Sequence, residues 1–264
     1  MPQRPKLGQN LLVSPTAQTA IADALGDVSR RTVVEIGPGR GAITAILAVR
    51  ARRLVAIELD RNFAAGLREQ FANWLSVEIL EQNVLAADFA ALRGAEEEKL
   101  LIVGNLPYYI TSDILLHLFA AAVEGKLRRA VLMMQREVGE RVAASPGVRD
   151  YGLLSATTQM YAEVEHLFTL PPSAFNPPPD VFSSVLRLHF APRFAELGVD
   201  ARGFDAFLKQ AFAQKRKTLT NNLKFAGYEM SALERGWPKN LPRQARAEEI
   251  SLPAMAELYR GLRG

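Results

Sequence analysis

Between Thr32 and about Met134, short apolar runs alternate with stretches whose apolar residues recur at helical spacing. Thr32-Val33-Val34-Glu35-Ile36 ends at glycines and Arg53-Leu54-Val55-Ala56-Ile57 at acids. Leu100-Leu101-Ile102-Val103-Gly104 ends at Asn105, and Ala130-Val131-Leu132-Met133-Met134 at Gln135. Near-continuous apolar runs of this length predict parallel strands buried on both faces, with crossover helices between them. Val77-Glu78-Ile79-Leu80 fits a further strand. The fold class is therefore α/β, a Rossmann-like doubly wound sheet. After Tyr151 the pattern becomes alternating in Ala162–Phe168 and Ser184–Phe190, which bracket the proline-rich stretch Pro171–Pro179. A hairpin-like pair completing the sheet edge, joined by a stiff loop, is expected there. Pro192 marks the domain boundary. Beyond it, Phe204 to Leu223 and Pro253 to Leu262 read as helices, so a sheet domain over 1–191 precedes a small all-helical domain over 192–264.

Composition adds exclusions. The chain has 264 residues, 48% of them hydrophobic, and no cysteine, which rules out disulfides and thiolate metal or redox chemistry. The three histidines, His117, His166 and His189, lack metal-ligand spacing, so no metal is expected. The first residues lead into no secretory apolar run and no stretch approaches membrane-span length, so a cytoplasmic protein is expected. Charge is skewed along the chain. From Pro192 onward there are 13 Lys/Arg against 8 Asp/Glu, and in the remainder 19 against 20. The positive excess thus lies in the C-terminal quarter, which suits an acidic partner and equally fits a solvated basic tail.

The sharpest local signal is Glu35-Ile36-Gly37-Pro38-Gly39-Arg40-Gly41, which follows a predicted strand and opens a helix. A dinucleotide fingerprint separates its last two glycines by two residues, whereas here one residue intervenes and an acid precedes the turn. A carboxylate at Glu35 would repel a pyrophosphate and suits a ligand carrying an ammonium and a sulfonium. The second strand ends at Glu58, 21 positions after Gly37, where a carboxylate can accept both ribose hydroxyls of a nucleoside.

The strand Leu100–Gly104 runs into Asn105-Leu106-Pro107-Tyr108, and strand C-termini of such sheets are where ligands sit. The exocyclic amine of adenine is a poor nucleophile because its lone pair is delocalised into the ring. The Asn105 side-chain carbonyl, with a nearby main-chain carbonyl, can accept both N–H groups and draw the nitrogen towards tetrahedral geometry. Pro107 stiffens the turn and Tyr108 offers a face on which a base can stack. No strong base is required, and positioning carries most of the catalysis.

These residues resemble the bacterial small-subunit rRNA adenine dimethyltransferase family, and the likeness runs in order over nearly the whole chain. It includes Leu7-Gly8-Gln9-Asn10-Leu11-Leu12, the glycine turn, Asn105–Tyr108, and Gln135-Arg136-Glu137-Val138 with Arg141. It continues through Tyr151-Gly152-Leu153-Leu154-Ser155 and Phe175-Asn176-Pro177-Pro178-Pro179-Asp180-Val181 to Ser183-Ser184-Val185. The resemblance implies a class I methyltransferase fold and S-adenosylmethionine as methyl donor, held by Asn10, Leu12, Gly37, Glu58 and Asn105. It implies a target-base clamp from Tyr108 and Phe175. It also implies two methylations on each of two neighbouring adenosines in a hairpin loop near the 3′ end of small-subunit rRNA, in a pre-ribosomal particle. The family has Asp where this chain has Asn83, whose amide oxygen is expected to accept from the cofactor's adenine amine, with Asp88 a poorer substitute. Leu11 stands where Phe is common. The basic segment around Lys215, Arg216 and Lys217 resembles the family's RNA-contacting stretch, where phosphate contacts would position the substrate. A monomer is expected.

Three alternatives stay open at this level. An antibiotic-resistance methylase of large-subunit rRNA shares the fold and much of the motif order. A non-catalytic ribosome-assembly factor could keep both. A nicotinamide-dependent oxidoreductase is disfavoured by the glycine spacing and by the lack of a hydride-site His or Tyr-Lys arrangement.

Overall fold

The computed structural model describes residues 10–93 and 99–263, so Leu7-Gly8-Gln9 of the first motif lie outside the described residues. The elements are β1 (Leu11–Leu12), α1 (Pro15–Ala24), β2 (Thr32–Ile36), α2 (Ala42–Ala48), β3 (Arg53–Glu58), α3 (Arg61–Gln70), β4 (Val77–Glu81), α4 (Phe89–Leu92), β5 (Leu100–Asn105) and α5 (Thr111–Val123). There follow β6 (Leu127–Gln135), α6 (Arg136–Ala143), α7 (Leu153–Tyr161), β7 (Ala162–Leu170), β8 (Phe175–Asn176) and β9 (Ser183–Phe190). The chain ends with α8 (Phe194–Leu197), α9 (Ala201–Ala211), α10 (Leu219–Phe225), α11 (Met230–Gly236) and α12 (Leu252–Arg263).

Seven strands form one sheet in the order β4-β3-β2-β5-β6-β9-β7. Neighbours from β4 to β6 are parallel, and β9 runs antiparallel to β6. All seven strands expected from the pattern are present, and β7 and β9 complete the edge as anticipated. The central strands are legible because helices cover both faces: every residue of β2 is buried, as are the first five of β5. The strand order switches direction between the parallel neighbours β2 and β5, which places their carboxyl ends beside a crevice. Close approach of these strands depends on Gly104, where a Cβ would lie 2.8 Å from the Ile36 carbonyl oxygen.

The chain divides into two compact units, one up to residue 139 together with 165–190, the other comprising 140–164 and 191 to the end. The second unit has its own core, in which Tyr151, Ala156 and Met160 pack with Phe204, Phe207, Leu208 and Met255. Residues 140–164 therefore group with the C-terminal helices, because α7 buries its apolar residues in that core. The single helix expected over 204–223 is two, α9 and α10, separated by a turn.

Candidate active site

The carboxyl ends of β2, β3 and β5 open into a cleft lined by Gly37, Glu58, Asn83 and Pro107 among others. Glu58 is 1% exposed, and its two carboxylate oxygens accept the main-chain N–H groups of Gly39 at 3.0 Å and Asp60 at 2.9 Å. The bonds fix the carboxylate at the cleft floor, and each oxygen retains lone-pair capacity for a vicinal diol. Gly39 adopts φ +58°, and a Cβ there would meet the Leu11 Cδ2 at 2.7 Å. The turn thus needs glycine both for its backbone and for the residue lying across it.

Glu35, the acid expected to suit a ligand carrying an ammonium and a sulfonium, is itself buried. It is 3% exposed, and its Oε2 accepts the Thr44 hydroxyl at 2.7 Å. Burial pushes its pKa up to about 7, partly offset by the Thr44 bond and reinforced by the Glu58 charge. It buttresses the start of α2.

Asn83 lines the cleft, yet its side-chain oxygen accepts the Leu85 N–H at 3.0 Å and caps the short turn Val84–Ala86. One lone pair of that oxygen is therefore already used. Asp88 caps α4 through Ala90 N–H at 2.8 Å. Gln82, Leu59 and Tyr109 also line the cleft and were not singled out by sequence. Tyr109, 63% exposed, directly follows Tyr108 in the turn after β5; its place there is the one signal that could have found it.

The N-terminal segment reaches the same region. β1 pairs antiparallel with β8, setting Leu12 opposite Phe175 and Leu11 opposite Asn176. The Asn105 side-chain Nδ2 donates to the Asn10 carbonyl at 2.9 Å. An amide so held has its oxygen left to accept. Leu106 is buried and donates its N–H to Met133 O at 2.9 Å, so it anchors the turn in the core. The Pro107 carbonyl accepts the Thr111 hydroxyl at 3.0 Å. Tyr108 is half-buried, with its Oη 3.2 Å from the Ser183 Oγ. Phe175 is 3% exposed and packs in the main core with Leu12 and Ala174, offering far less open ring than Tyr108.

In the second unit, Lys215, Arg216 and Lys217 are exposed in the turn between α9 and α10. The buried Asn222 shapes that turn: its Nδ2 donates to Ala211 O at 2.8 Å and Gln214 O at 3.2 Å, and its oxygen accepts Gln214 N–H at 3.2 Å. Thr218 caps α10 by accepting from Asn221 N–H. Among the described residues, no group of three or more His, Cys, Asp or Glu side chains could hold a metal ion.

The family model described as ribosomal RNA adenine dimethylase matches residues 2–252. The chain is 56% identical over 260 residues to a protein of Acidobacterium capsulatum named ribosomal RNA small subunit methyltransferase A, covering 98% of this chain and 91% of that one. It is 52% identical over 273 residues to the protein of the same name from Koribacter versatilis, covering 99% and 95%. In structure it resembles a dimethyladenosine transferase from Plasmodium falciparum, with a TM-score of 0.77, 23% identity and coverage of 94% and 95%. The 23S rRNA methyltransferase ErmE gives a TM-score of 0.72, 23% identity and coverage of 97% and 100%. At such identities these two speak for the fold, a class I methyltransferase sheet. With the family model spanning nearly all of its length, the chain belongs to the ribosomal RNA adenine dimethylase family.

Proposed function

We propose that this chain transfers methyl groups from S-adenosylmethionine to N6 of two adjacent adenosines in a hairpin loop near the 3′ end of small-subunit rRNA, giving N6,N6-dimethyladenosine. The observation that carries the reading is Asn105, two residues before the cleft-lining Pro107: its amide nitrogen is engaged by the Asn10 carbonyl, which leaves its oxygen to accept. The small-subunit assignment is supported by relatives of that name at 56% and 52% identity.

The cleft residues fit the donor. Glu58 presents a buried carboxylate for the ribose hydroxyls, and Gly37 allows close approach of the main chain. Asn10, Leu12 and Asn83 complete the cofactor contacts, Asn83 sharing an oxygen already used in capping. The donor supplies an electrophilic methyl group on a sulfonium. Asn105 accepts an N–H of the target amine, turning the lone pair out of conjugation, while Tyr108 stacks on the base and Pro107 fixes the turn between them. Leu106 and Phe175 hold the two sides of the pocket through the core. The proton leaves after the nitrogen has accepted the methyl group, when it is strongly acidic. An unpaired adenine in a loop is cheaper to extrude than one in a duplex. Lys215, Arg216 and Lys217 contact phosphates. The pre-ribosomal substrate, a cytoplasmic site of action, a monomeric state and the division into a catalytic domain over 1–191 and an RNA-binding domain over 192–264 belong to the same proposal.

Radiolabelled methyl transfer onto undermethylated small subunits, with large subunits in parallel and nucleoside analysis of the product, tests it. Label in dimethyladenosine of the small subunit is expected, and Asn105→Ala should lower turnover by about 10²–10³-fold while RNA binding persists. Label only in large subunits, or normal turnover by Asn105→Ala, would overturn the assignment.

A further inference from the structure

The last ladder pair between β6 and β9 joins Gln135 to Ser183. The next residue outward on each strand is Arg136 and Phe182, and the Arg136 N–H donates to the Phe182 carbonyl at 2.9 Å. The Arg136 guanidinium carbon lies 5.3 Å from the centroid of the Phe182 ring. Phe182 is nevertheless 43% exposed. Because β6 is parallel to β5, this pair stands at the same sheet end as Asn105. It adjoins the aromatic side of the site as well. Ser183, fully buried, bonds the Tyr108 hydroxyl, and its Cα is about 3.8 Å from that of Phe182.

A single exposed aromatic residue needs no explanation of its own. Here the ring is held by its own main chain, carries a guanidinium over it, and stands one residue from the group that anchors Tyr108. A planar cation stacked on an aromatic ring extends a flat surface on which a nucleobase can stack, the ring contributing its π face. We propose that Phe182 and Arg136 form a second stacking site, which holds an unpaired RNA base flanking the adenine presented to Asn105. The proposal rests on the functional reading above for the placing of that adenine. Stacking at Phe182 would keep the strand splayed at the pocket mouth and set which neighbour of the target is ordered.

Two measurements test it. In methyl transfer onto undermethylated small subunits, Phe182→Ala and Phe182→Leu should raise the RNA KM about ten-fold, with kcat and cofactor affinity nearly unchanged, and Phe182→Tyr should restore it. In a binding assay without cofactor, a short single-stranded RNA carrying 2-aminopurine should be quenched by the wild type and by Phe182→Tyr, and far less by Phe182→Leu. Leucine covers apolar surface but has no π face, so wild-type KM and quenching in Phe182→Leu would refute stacking. If the wild type transfers no methyl group yet the quenching pattern holds, the stacking site stands and the functional reading falls. Intact transfer with no dependence on Phe182 means the reverse.

Discussion

Glu35 gives the most direct physical test of how the glycine turn is built. A carboxyl group buried at the end of β2 is held near pKa 7 rather than at its ordinary 4.5, chiefly by desolvation, with the Glu58 charge adding to the rise and the Thr44 hydroxyl opposing it. Between these two values the folded chain keeps a proton that the unfolded chain has released. Stability contributed by this group is therefore complete below about pH 4.5 and is lost as pH rises through about 7. The full cost is about 3 kcal/mol, from 1.36 kcal/mol for each tenfold change in acidity. Glu35→Gln keeps an oxygen for Thr44 and cannot ionise, while its new N–H groups cost about 1 kcal/mol if unpartnered. Urea denaturation of both proteins from pH 4.5 to 8 should show the variant slightly less stable at the acid end and about 2 kcal/mol more stable at the alkaline end. Parallel stability curves across that window would refute the argument, since they would mean Glu35 ionises in the folded chain as it does in water.

The hydroxyl pair that ties Tyr108 to β9 can be tested by a double-mutant cycle. Ser183→Ala should lower kcat about five- to ten-fold and Ser183→Thr should preserve it, yet Ser183→Ala should add nothing once Tyr108→Phe has removed the phenol oxygen; additive losses would show that Ser183 acts elsewhere. Reversing the charges of Lys215, Arg216 and Lys217 should weaken RNA binding and reduce the slope of log affinity against log salt by about 2–3. Asn222→Ala, which frees the main-chain groups of Ala211 and Gln214, should cost about 2 kcal/mol of stability and blunt the same slope; an unaltered salt slope in the charge-reversal variant would remove this turn from the RNA interface.

The strands were legible because a parallel sheet covered on both faces demands unbroken apolar runs, and β2, β3, β5 and β6 have them. The glycine turn was legible for a related reason: Gly39 and Gly41 adopt positive φ and lie where a Cβ would meet Leu11 or Leu67, which restricts the residue types allowed. What escaped was set by single polar contacts between segments distant in sequence. Phe204, Phe207, Leu208, Ala211, Leu219 and Leu223 are all buried and keep an approximately helical spacing, so 204–223 reads as one helix. The amide of Asn222 folds back onto Ala211 and Gln214, and that bond is invisible in apolar periodicity. The β1–β8 ribbon has strands of two residues each, too short for any alternation to register. Asn83 matches a cofactor-reading position by alignment of motifs, but its own backbone competes for its oxygen, as asparagine before a turn commonly does.

The N-terminal strap is tied to the amide at the end of β5 by a hydrogen bond. A planar amide has one orientational freedom once its side chain is placed, and the 2.9 Å bond from Asn105 Nδ2 to the Asn10 carbonyl removes it. Under the proposed mechanism, the Asn10 carbonyl would select which end of the amide meets an incoming amine. A carboxylate in place of Asn105 would have no hydrogen to give that carbonyl and would set two acceptors against each other, which is a physical reason for an amide at this position in a reaction that needs no strong base. The strap is in turn fixed by two contacts that involve no substrate: Leu11 across the side-chain-free surface of Gly39, and Leu12 paired with Phe175 in the ribbon. The glycine turn beside the cleft, the amide at the end of β5 and the proline-rich loop are thus linked through three consecutive residues, Asn10 to Leu12. Under the proposed mechanism, a shift in any one of these contacts would move the carbonyl that orients the Asn105 amide, so the buried Phe175 would act through its pairing with Leu12 even with its ring turned into the core.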